Sequence, residues 1–393
     1  MNGVMVLNQY SPNRGMDFWK TPAGKQASQP RVIMLVDLDY FFAQCEEVRN
    51  PSFKNKPVVV CVYSGRSEES GVVSTANYVA RKYGVKSGIP ISVAKKKLGN
   101  TGAVFLPVDH DYYDTVSGKV MKILKNYADV FEQAGIDEAY LDVSMRVEKD
   151  FDKARELAQR IKEDLKASQK ITCSIGVGPN KLVAKIAADF KKPDGLTLVK
   201  PEKVEEFLSP LPVNRLIGIG VKTESIMKSL GVETIGDLAR YDVQELIRFF
   251  GVKLGAYFHN ASRGIDDSPV KEYRETASLS RISTLKEDTR DLEPIVKKIN
   301  ELCGEIHAEL AQQKWRFKQV GVIAVMKDIS VRSRSRTLEK PTNDLDVLKK
   351  SVKELFEKLL KESDLEVRRV GVKVSGFTKD NNLQKQLSSF TRG

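Results

Sequence analysis

Two groups of acidic side chains, separated by about 95 residues, each adjoin a short apolar run. The run Val32–Val36 ends in Asp37, and a second apolar passage carries Asp137 and Glu138. Carboxylates are rarely buried unless they are paired or bind a metal, so acids at the mouth of a buried strand are candidates for a functional site. Mg²⁺ prefers oxygen ligands and keeps several positions for water or substrate phosphates. The pattern therefore predicts a shared site for hard divalent cations.

Two further side chains, Tyr78 and Arg81, have the chemistry of a phosphate-binding pair. They are three residues apart, so on a helix they lie on the same face. The planar guanidinium of Arg81 suits a phosphate, and Tyr78 is suited to support a ribose or triphosphate. The alternative is a surface arginine packed on a tyrosine, which without context is the commoner arrangement.

A pair of glycines, Gly218 and Gly220, lies in a segment that resembles a helix-hairpin-helix module, Leu216–Thr223. Glycines there let the backbone come close to a phosphate and direct N–H groups at it near a helix N-terminus. Such contacts bind DNA without reading its bases. The alternative is an ordinary helical hairpin.

Three arginines, Arg332, Arg334 and Arg336, alternate with small residues in a predicted strand. The period of two puts all three on one face of the strand. Like charges at that spacing repel unless a polyanion lies across them, so we predict phosphate binding. The alternative is a solvated edge strand.

The C-terminal tail contains Gln384, Leu387 and Phe390 at the spacing of a short peptide that docks on a sliding clamp. The second aromatic residue of the strongest versions is absent, because Thr391 follows Phe390. The alternative is a chance pattern in a disordered tail.

The elements that must position these residues alternate irregularly between strands and helices. This indicates an α+β fold with helices on one face of a sheet. The segment Asp111–Phe131 has the pattern of one long amphipathic helix. From Ala277 on, two β-α-β-like halves predict a compact α+β domain with a free sheet face. Neither GxxxxGK(S/T) nor GxGxxG occurs, so neither a P-loop nor a dinucleotide-binding fold is indicated.

The composition is that of a basic chain with two to four domains. The 393 residues carry a net charge of +12, and 26 Lys and Arg against 19 Asp and Glu lie after residue 270. This favours a polyanionic partner, although a basic solvated surface is the alternative. Four scattered cysteines argue against a zinc site or disulfides and fit a reducing cytosol. We expect no membrane span and no signal peptide.

Several motifs follow one another along the chain: VDLDYFFAQCEEV, STANYVARKYGV, IDEAYLDVS, the Asn180-Lys181 helix with Lys192-Pro193, and the glycine hairpin. In this order they resemble the motifs of Y-family translesion DNA polymerases. The chain resembles most the DinB-type branch of that family, especially its archaeal members, from about Arg31 to Phe377. The resemblance implies an α+β right-hand polymerase with a palm, small fingers, a helical thumb containing the helix-hairpin-helix, and a C-terminal little-finger domain.

The implied domains have the following bounds. We expect a disordered extension at 1–30, a palm at 31–40 and 108–199, fingers at 41–107, a thumb at 200–266, a linker at 267–276, a little finger at 277–379 and a clamp-binding tail at 380–393.

The resemblance also implies ligands for two Mg²⁺ ions, which Mn²⁺ is expected to replace. These are the carboxylates of Asp37, Asp137 and Glu138, with the backbone carbonyl of Leu38. Leu38 stands where family members often have Phe, and Gly135 where Ser is frequent; neither change removes a ligand. Asp39 and Asp142 are expected to be structural.

The same resemblance implies the nucleotide-binding residues. They are Tyr40, Phe41, Phe42, Tyr78, Arg81 and Lys192. Tyr78, Arg81 and Lys192 would hold the triphosphate, and Tyr40 and Phe41 would line the pocket. Phe42 would be the steric gate, a ring that occupies the space a ribose 2′-OH needs.

The implied function is template-directed addition of dNTPs to a primer 3′-OH, specialised for bypass of damaged template bases. Expected partners are primer-template DNA, dNTP and a sliding clamp, and we expect a cytoplasmic monomer. One alternative is a non-catalytic DNA-binding scaffold at stalled forks, against which the intact carboxylates argue. Another is a metal nuclease, which leaves the aromatic gate and the triphosphate-type cations unexplained.

Overall fold

The computed structural model describes residues 31–272 and 276–379 and, before them, the backbone of a two-residue strand, β1 (Val4–Met5). The rest of the predicted disordered extension lies outside the described residues. So does the predicted clamp-binding tail with Gln384, Leu387 and Phe390. Within the described ranges, no helix combines the length and apolar character needed to cross a membrane.

The first half of the chain forms two sheets and the helices that pack on them. In chain order, the elements are β2 (Ile33–Leu38), α1 (Phe41–Arg49), β3 (Val58–Tyr63), β4 (Gly71–Ala76), α2 (Tyr78–Arg81), α3 (Ile91–Leu98), β5 (Val104–Pro107), α4 (His110–Lys125), β6 (Val130–Gln133), β7 (Glu138–Asp142), α5 (Phe151–Gln169), β8 (Cys173–Gly178), α6 (Lys181–Phe190) and β9 (Leu196–Leu198). The larger sheet has the order β6-β7-β2-β8-β9, and β2 is antiparallel to both neighbours. The smaller sheet has the order β4-β3-β5.

The central strand β2 is buried on both faces because its apolar residues alternate between two helical layers. Met34 and Val36 belong to the core formed with α4 and α5, whereas Ile33 and Leu35 pack against α6. Helices therefore cover both faces of this sheet, and the expectation of helices on one face is wrong here. Because side chains alternate along a strand, Asp37 lies on the same side as Ile33 and Leu35, facing α6.

The helix predicted over Asp111–Phe131 is shorter in the structure. α4 ends at Lys125, and Phe131 lies instead in β6. The N–H group of Asp129 donates to the carbonyl oxygen of Asp142 (2.8 Å), which joins the chain to the sheet. The β-branched and aromatic residues that follow have strand propensity and pair with β7.

The next segment is helical and packs on α6. Its helices are α7 (Val204–Leu208), α8 (Val221–Ser229), α9 (Ile235–Arg240) and α10 (Val243–Ser262), the last interrupted at Gly251. α9 begins with a capping box in which Thr234 and Asp237 satisfy each other's backbone N–H groups. Leu216, Met227 and Phe258 lie in the core that joins these helices to α6.

The C-terminal domain is a sheet covered on one face by two helices. Its elements are β10 (Ser278–Thr289), α11 (Leu292–Gln313), β11 (Trp315–Met326), β12 (Val331–Thr342), α12 (Leu345–Lys361), β13 (Val367–Ser375) and β14 (Thr378–Lys379). The strand order is β1-β10-β13-β11-β12, and β14 pairs with β11. Val322 and Val372 face the helices with the rest of the core, whereas Ile323 and Lys373 alternate to the opposite face.

The first part of the predicted linker is docked on the larger sheet. The Arg31 guanidinium donates to the carbonyl oxygens of Ser268 (3.0 Å) and Asp266 (3.2 Å). Val270 is buried in the same cluster as Leu35. The chain is therefore fixed to the sheet that carries Asp37 as far as Val270.

A second contact joins the C-terminal domain to the smaller sheet. Arg66, between β3 and β4, forms an ion pair with Asp288 of β10 (2.6 Å) and donates from Nε to the Leu285 carbonyl oxygen (2.7 Å). Arg368 of β13 pairs with the same Asp288 carboxylate (2.9 Å).

Candidate active site

Strand pairing brings the two acidic groups together. Asp37, near the end of β2, is opposite Glu138, the first residue of β7. The N–H group of Leu38 donates to the carbonyl oxygen of Asp137 (2.8 Å), which holds the turn before β7 against β2. Asp37 is buried, and Asp137 and Glu138 are half-buried. Three carboxylates thus lie together where β2 ends and β7 begins, with Asp137 in the turn before β7.

The crowding of these carboxylates changes their ionisation. Burial, followed by the negative charges of Asp37 and Glu138, raises the pKa of Asp137 to about 7. Burial also acts to raise the pKa of Asp37, but Lys185 and Lys192 outweigh it and the pKa of Asp37 is lowered. The cluster therefore favours positive charge in its neighbourhood.

Lys185 supplies part of that positive charge and was missed by sequence reasoning. Its ammonium group, on α6, donates to Asp37 Oδ2 (3.0 Å) and to Glu138 Oε2. Burial disfavours the charged form, but Asp37 and Glu138 outweigh burial and raise the pKa of Lys185. The only signal in the sequence was a lysine inside the largely apolar segment KLVAKIAADF.

Lys192, implied by the resemblance as a triphosphate ligand, lies on the other side of Asp37. Its Nζ is 2.7 Å from Asp37 Oδ1 and 2.8 Å from Asp189 Oδ1. In this structure its charge is therefore engaged by carboxylates.

The donor chemistry of this cluster fits a hard divalent cation. In residues 31–272 and 276–379, no three His, Cys, Asp or Glu side chains are arranged to hold a metal ion as they stand, and the Lys185 ammonium lies between Asp37 and Glu138. The oxygen donors are nevertheless the type that Mg²⁺ prefers. A carboxylate whose pKa is raised to about 7 by burial and by two neighbouring carboxylates is in the kind of site that a cation stabilises.

Three of the predicted nucleotide-binding side chains form one cluster beside the carboxylates. The Tyr40 and Tyr78 rings meet edge to face with centroids 5.4 Å apart. The Arg81 guanidinium lies 4.7 Å from the Tyr78 ring centroid, so the two share a face of α2 as predicted. Arg81 also donates from Nε to the Ala76 carbonyl oxygen (2.8 Å), which orients its planar group.

The two phenylalanines that follow Tyr40 differ in their surroundings. Tyr40 has a left-handed backbone conformation (φ 37°) at the start of α1, which turns the chain sharply after Asp39. Phe41 is only 2% exposed and packs in the core, so the structure does not place it on an open pocket wall. Phe42 is half-buried and stacks on Tyr113, with ring centroids 4.4 Å apart.

Asp39 and Asp142 have the structural contacts expected of them. Asp39 is buried and accepts hydrogen bonds from Thr172 Oγ1 (3.0 Å), Ser174 Oγ (2.8 Å) and the Asp194 N–H group (2.8 Å). Asp142 accepts hydrogen bonds from the N–H and hydroxyl groups of Ser144.

The glycine hairpin lies far along the chain from this cluster and is exposed. Gly218 has a left-handed backbone (φ 91°), and Gly220 is the N-cap residue of α8. The Tyr257 hydroxyl donates to the Ile217 carbonyl oxygen (2.7 Å), which holds the hairpin against α10. The hairpin is thus presented at the surface by a fixed scaffold.

The three arginines of β12 share one face, but it is the face packed by helices. Arg334 and Arg332 are paired with Val322 and Ala324, which point into the core. Their repulsion is relieved by the protein itself, because carboxylates of α12 and the residue after it face them. The pairs are Arg334 with Glu362 and Arg336 with Glu354 (2.7 Å), and Arg332 donates to the Glu362 carbonyl oxygen (3.3 Å). Repulsion among these arginines therefore does not require a bound polyanion, and phosphate binding by them stays a prediction.

Comparisons with known proteins agree with this geometry. The impB/mucB/samB family profile matches residues 36–189, its C-terminal domain matches 276–388, and the DNA polymerase-iota thumb domain matches 214–266. A DNA polymerase IV of Nitrosopumilus maritimus is 49% identical over 92% of this chain and its own full length. A DNA polymerase IV of Methanosarcina acetivorans is 45% identical over 89% of this chain and 96% of its own.

Solved structures show the same similarity. A chimeric Y-family DNA polymerase built on Dbh, 36% identical, overlays with a TM-score of 0.84 over 89% of this chain and all of its own. An insertion ternary complex of Dbh DNA polymerase overlays with a TM-score of 0.64 over the same shares.

The sheet with its carboxylates, the small second sheet, the helical unit and the C-terminal sheet define a right-hand, DNA-directed DNA polymerase with palm, fingers, thumb and little finger. The chain belongs to the impB/mucB/samB family, the Y-family translesion DNA polymerases, and resembles their DinB-type branch.

Proposed function

We propose that Asp37, Asp137 and Glu138 form the catalytic centre for transfer of a nucleotide from a dNTP to a primer 3′-OH. The observation that supports this is the meeting of β2 and β7, which places the three carboxylates side by side; burial, and then the charges of Asp37 and Glu138, raise the pKa of Asp137 to about 7. The Leu38 carbonyl is the proposed fourth oxygen. When bound, two Mg²⁺ ions, or Mn²⁺ in their place, supply Lewis acidity that activates the primer hydroxyl and neutralises the pyrophosphate.

The residues around the carboxylates position the incoming nucleotide. Tyr78 and Arg81, already packed together, and Lys192 hold the triphosphate, while Tyr40 borders the pocket. Lys192 must leave Asp37 to reach a phosphate, so nucleotide binding exchanges one anionic partner of its ammonium group for another. Phe42 occupies the space that a ribose 2′-OH requires and makes the site selective for dNTPs.

Other parts of the chain carry the DNA. The proposed bounds are palm 31–40 and 108–199, fingers 41–107, thumb 200–266, linker 267–276 and little finger 277–379. Gly218 and Gly220 contact DNA phosphates through the backbone of the exposed hairpin. The arginines of β12 contact DNA phosphates only if they exchange the carboxylates that they pair with, in α12 and just after it, for phosphates. Their contribution to DNA binding is therefore weaker than that of the glycine hairpin.

We further propose that the protein works as a monomer in the cytoplasm and that Gln384, Leu387 and Phe390 bind a sliding clamp. The basic C-terminal part supports attraction to a polyanion such as DNA.

Primer extension on two templates, one undamaged and one with an abasic site, tests the proposal. Extension with dNTPs and Mg²⁺ on both templates is the expected result, and omission of Mg²⁺ should abolish it. Duplex binding without extension on either template would favour the scaffold alternative. Shortening of the primer instead of extension would favour the nuclease.

A further inference from the structure

The ring of the proposed gate residue Phe42 stacks on the ring of Tyr113. The Tyr113 ring lies nearly parallel to it, at an interplanar angle of 14° with centroids 4.4 Å apart. The His110 ring meets Phe42 edge-on at 6.2 Å. Both neighbours come from the first turn of α4, so one helix end confines the Phe42 ring on two sides.

Tyr113 is itself held in place at both ends of its side chain. It is fully buried, and its hydroxyl donates to Glu46 Oε1 (2.8 Å), a carboxylate that is also buried. Glu46 lies four residues after Phe42 on α1, so the two side chains are on the same face of that helix. Tyr113 thus contacts the gate ring with its face and the next turn of the same helix with its hydroxyl.

A steric gate requires a ring that cannot retreat. Protein interiors are close-packed, so a ring backed by a second ring has no space to move into, whereas a ring backed by a smaller or flexible side chain has. A displacement of about 1 Å is enough to change what a site admits.

We infer that Tyr113 is a positioning residue for sugar selectivity, holding Phe42 where it excludes a ribose 2′-OH. This inference rests on the proposed function, because it takes Phe42 as the gate. Tyr113 does not contact the nucleotide; its effect passes through the Phe42 ring.

The test is the ratio of kcat/KM for a dNTP to kcat/KM for the matching rNTP. Because a stacked aromatic pair stabilises the position of both rings, its loss in Tyr113→Leu should lower this ratio about three- to tenfold. Tyr113→Phe keeps the stacked ring and should preserve the ratio within about twofold. Tyr112→Leu is the matched control, because the adjacent Tyr112 ring packs instead under the Arg49 guanidinium (3.5 Å).

A double variant separates positioning from a general effect on folding. In the Phe42→Ala background, Tyr113→Leu should leave the already lowered ratio unchanged, because the ring that it positions is gone. If Tyr113→Leu does not fold, Tyr113→Met, of closer volume, replaces it in both backgrounds.

The following outcomes overturn the inference. An unchanged ratio in folded Tyr113→Leu, or an equal loss in Tyr113→Phe, shows that ring stacking does not set selectivity. If Tyr113→Leu lowers the ratio further in the Phe42→Ala background, Tyr113 acts on selectivity by a route other than the Phe42 ring. If the Phe42→Ala variant keeps the wild-type ratio, the assignment of Phe42 as the gate is also wrong. If the wild-type protein shows no primer extension, the proposed function itself is wrong, and this outcome is recognised before any variant is compared.

Discussion

Asp137 is the side chain on which the proposed chemistry depends most directly. Its replacement by Asn removes an anionic oxygen at the point where three carboxylates meet, so primer extension should fall by at least about a hundredfold. Binding to a primer-template duplex, measured by fluorescence anisotropy, should be unchanged. Asp142→Asn is the control, because Asp142 ends the strand that follows Asp137 and its carboxylate accepts hydrogen bonds from Ser144. Extension near the wild-type rate in Asp137→Asn would contradict the assignment.

The raised pKa of Asp137 also has a consequence for stability without metal. Because the folded-state pKa of about 7 lies above the ordinary 3.8, the contribution of Asp137 to the free energy of unfolding is fully present below the ordinary value. It is lost as the pH rises through about 7. In EDTA, Tm should therefore fall between about pH 4 and about pH 7, and Asp137→Asn should reduce that fall. An equal fall in Tm in the wild type and in Asp137→Asn would contradict the raised pKa of Asp137.

At the scale of elements, the contact between β8 and α6 decides whether Lys185 reaches the carboxylates. A Cβ atom at Gly176 would lie 2.1 Å from the Ala184 carbonyl oxygen and 2.2 Å from the Ala188 nitrogen. Glycine at this position is what lets the helix backbone touch the strand.

Gly176→Ala should displace α6, lower stability by about 3 kcal/mol and reduce primer extension, because Lys185 moves with its helix. Gly118→Ala is the matched control: Gly118 lies in α4, and a Cβ atom there meets nothing within 4 Å. That change should be neutral or stabilising by up to about 1 kcal/mol. Thermal unfolding of both variants measures the difference, and similar Tm values would argue against the close contact.

The same elements show what local sequence can predict. The bounds of α12, Leu345–Lys361, follow from local signals, namely its apolar period and the Asp344 cap. The meeting of Asp37 with Glu138 was predictable from two acidic strand ends. Lys185 was not, because its role depends on a helix packing against a strand 148 residues away in the chain. The predicted helix was longer than α4 because the pairing of β6 with β7 overrides the local helical pattern.

For the whole molecule, Arg66 and Asp288 matter because their ion pair joins the C-terminal domain to the smaller sheet, in addition to the docked chain segment at Val270. Hydrogen bonding from Arg368, with Arg66, lowers the pKa of Asp288 to about 2. The folded-state value lies below the ordinary 3.8, so this contact is fully present above that value and is lost as pH falls towards about 2. The contact therefore persists at neutral pH.

Arg66→Ala should weaken the contact between the domains by about 2 kcal/mol, because it removes hydrogen bonds to a charged partner. The radius of gyration of the DNA-free protein, measured by small-angle X-ray scattering, should increase. Lys95→Ala is the control, since the Lys95–Glu69 pair lies within one domain. An unchanged radius in Arg66→Ala would show that the docked segment alone sets the arrangement.

The position of β2 at the centre of the larger sheet also has a consequence for biosynthesis. Its partner β8 begins about 135 residues after β2 ends, and ribosomes add about 5–20 residues per second. β2 is therefore synthesised about 7–27 s before both of its neighbouring strands are complete. During that interval at least one backbone edge of this apolar strand has no partner strand, a state prone to aggregation. The nascent chain thus offers a chaperone a defined early substrate, Ile33–Leu38, well before the polymerase site can assemble.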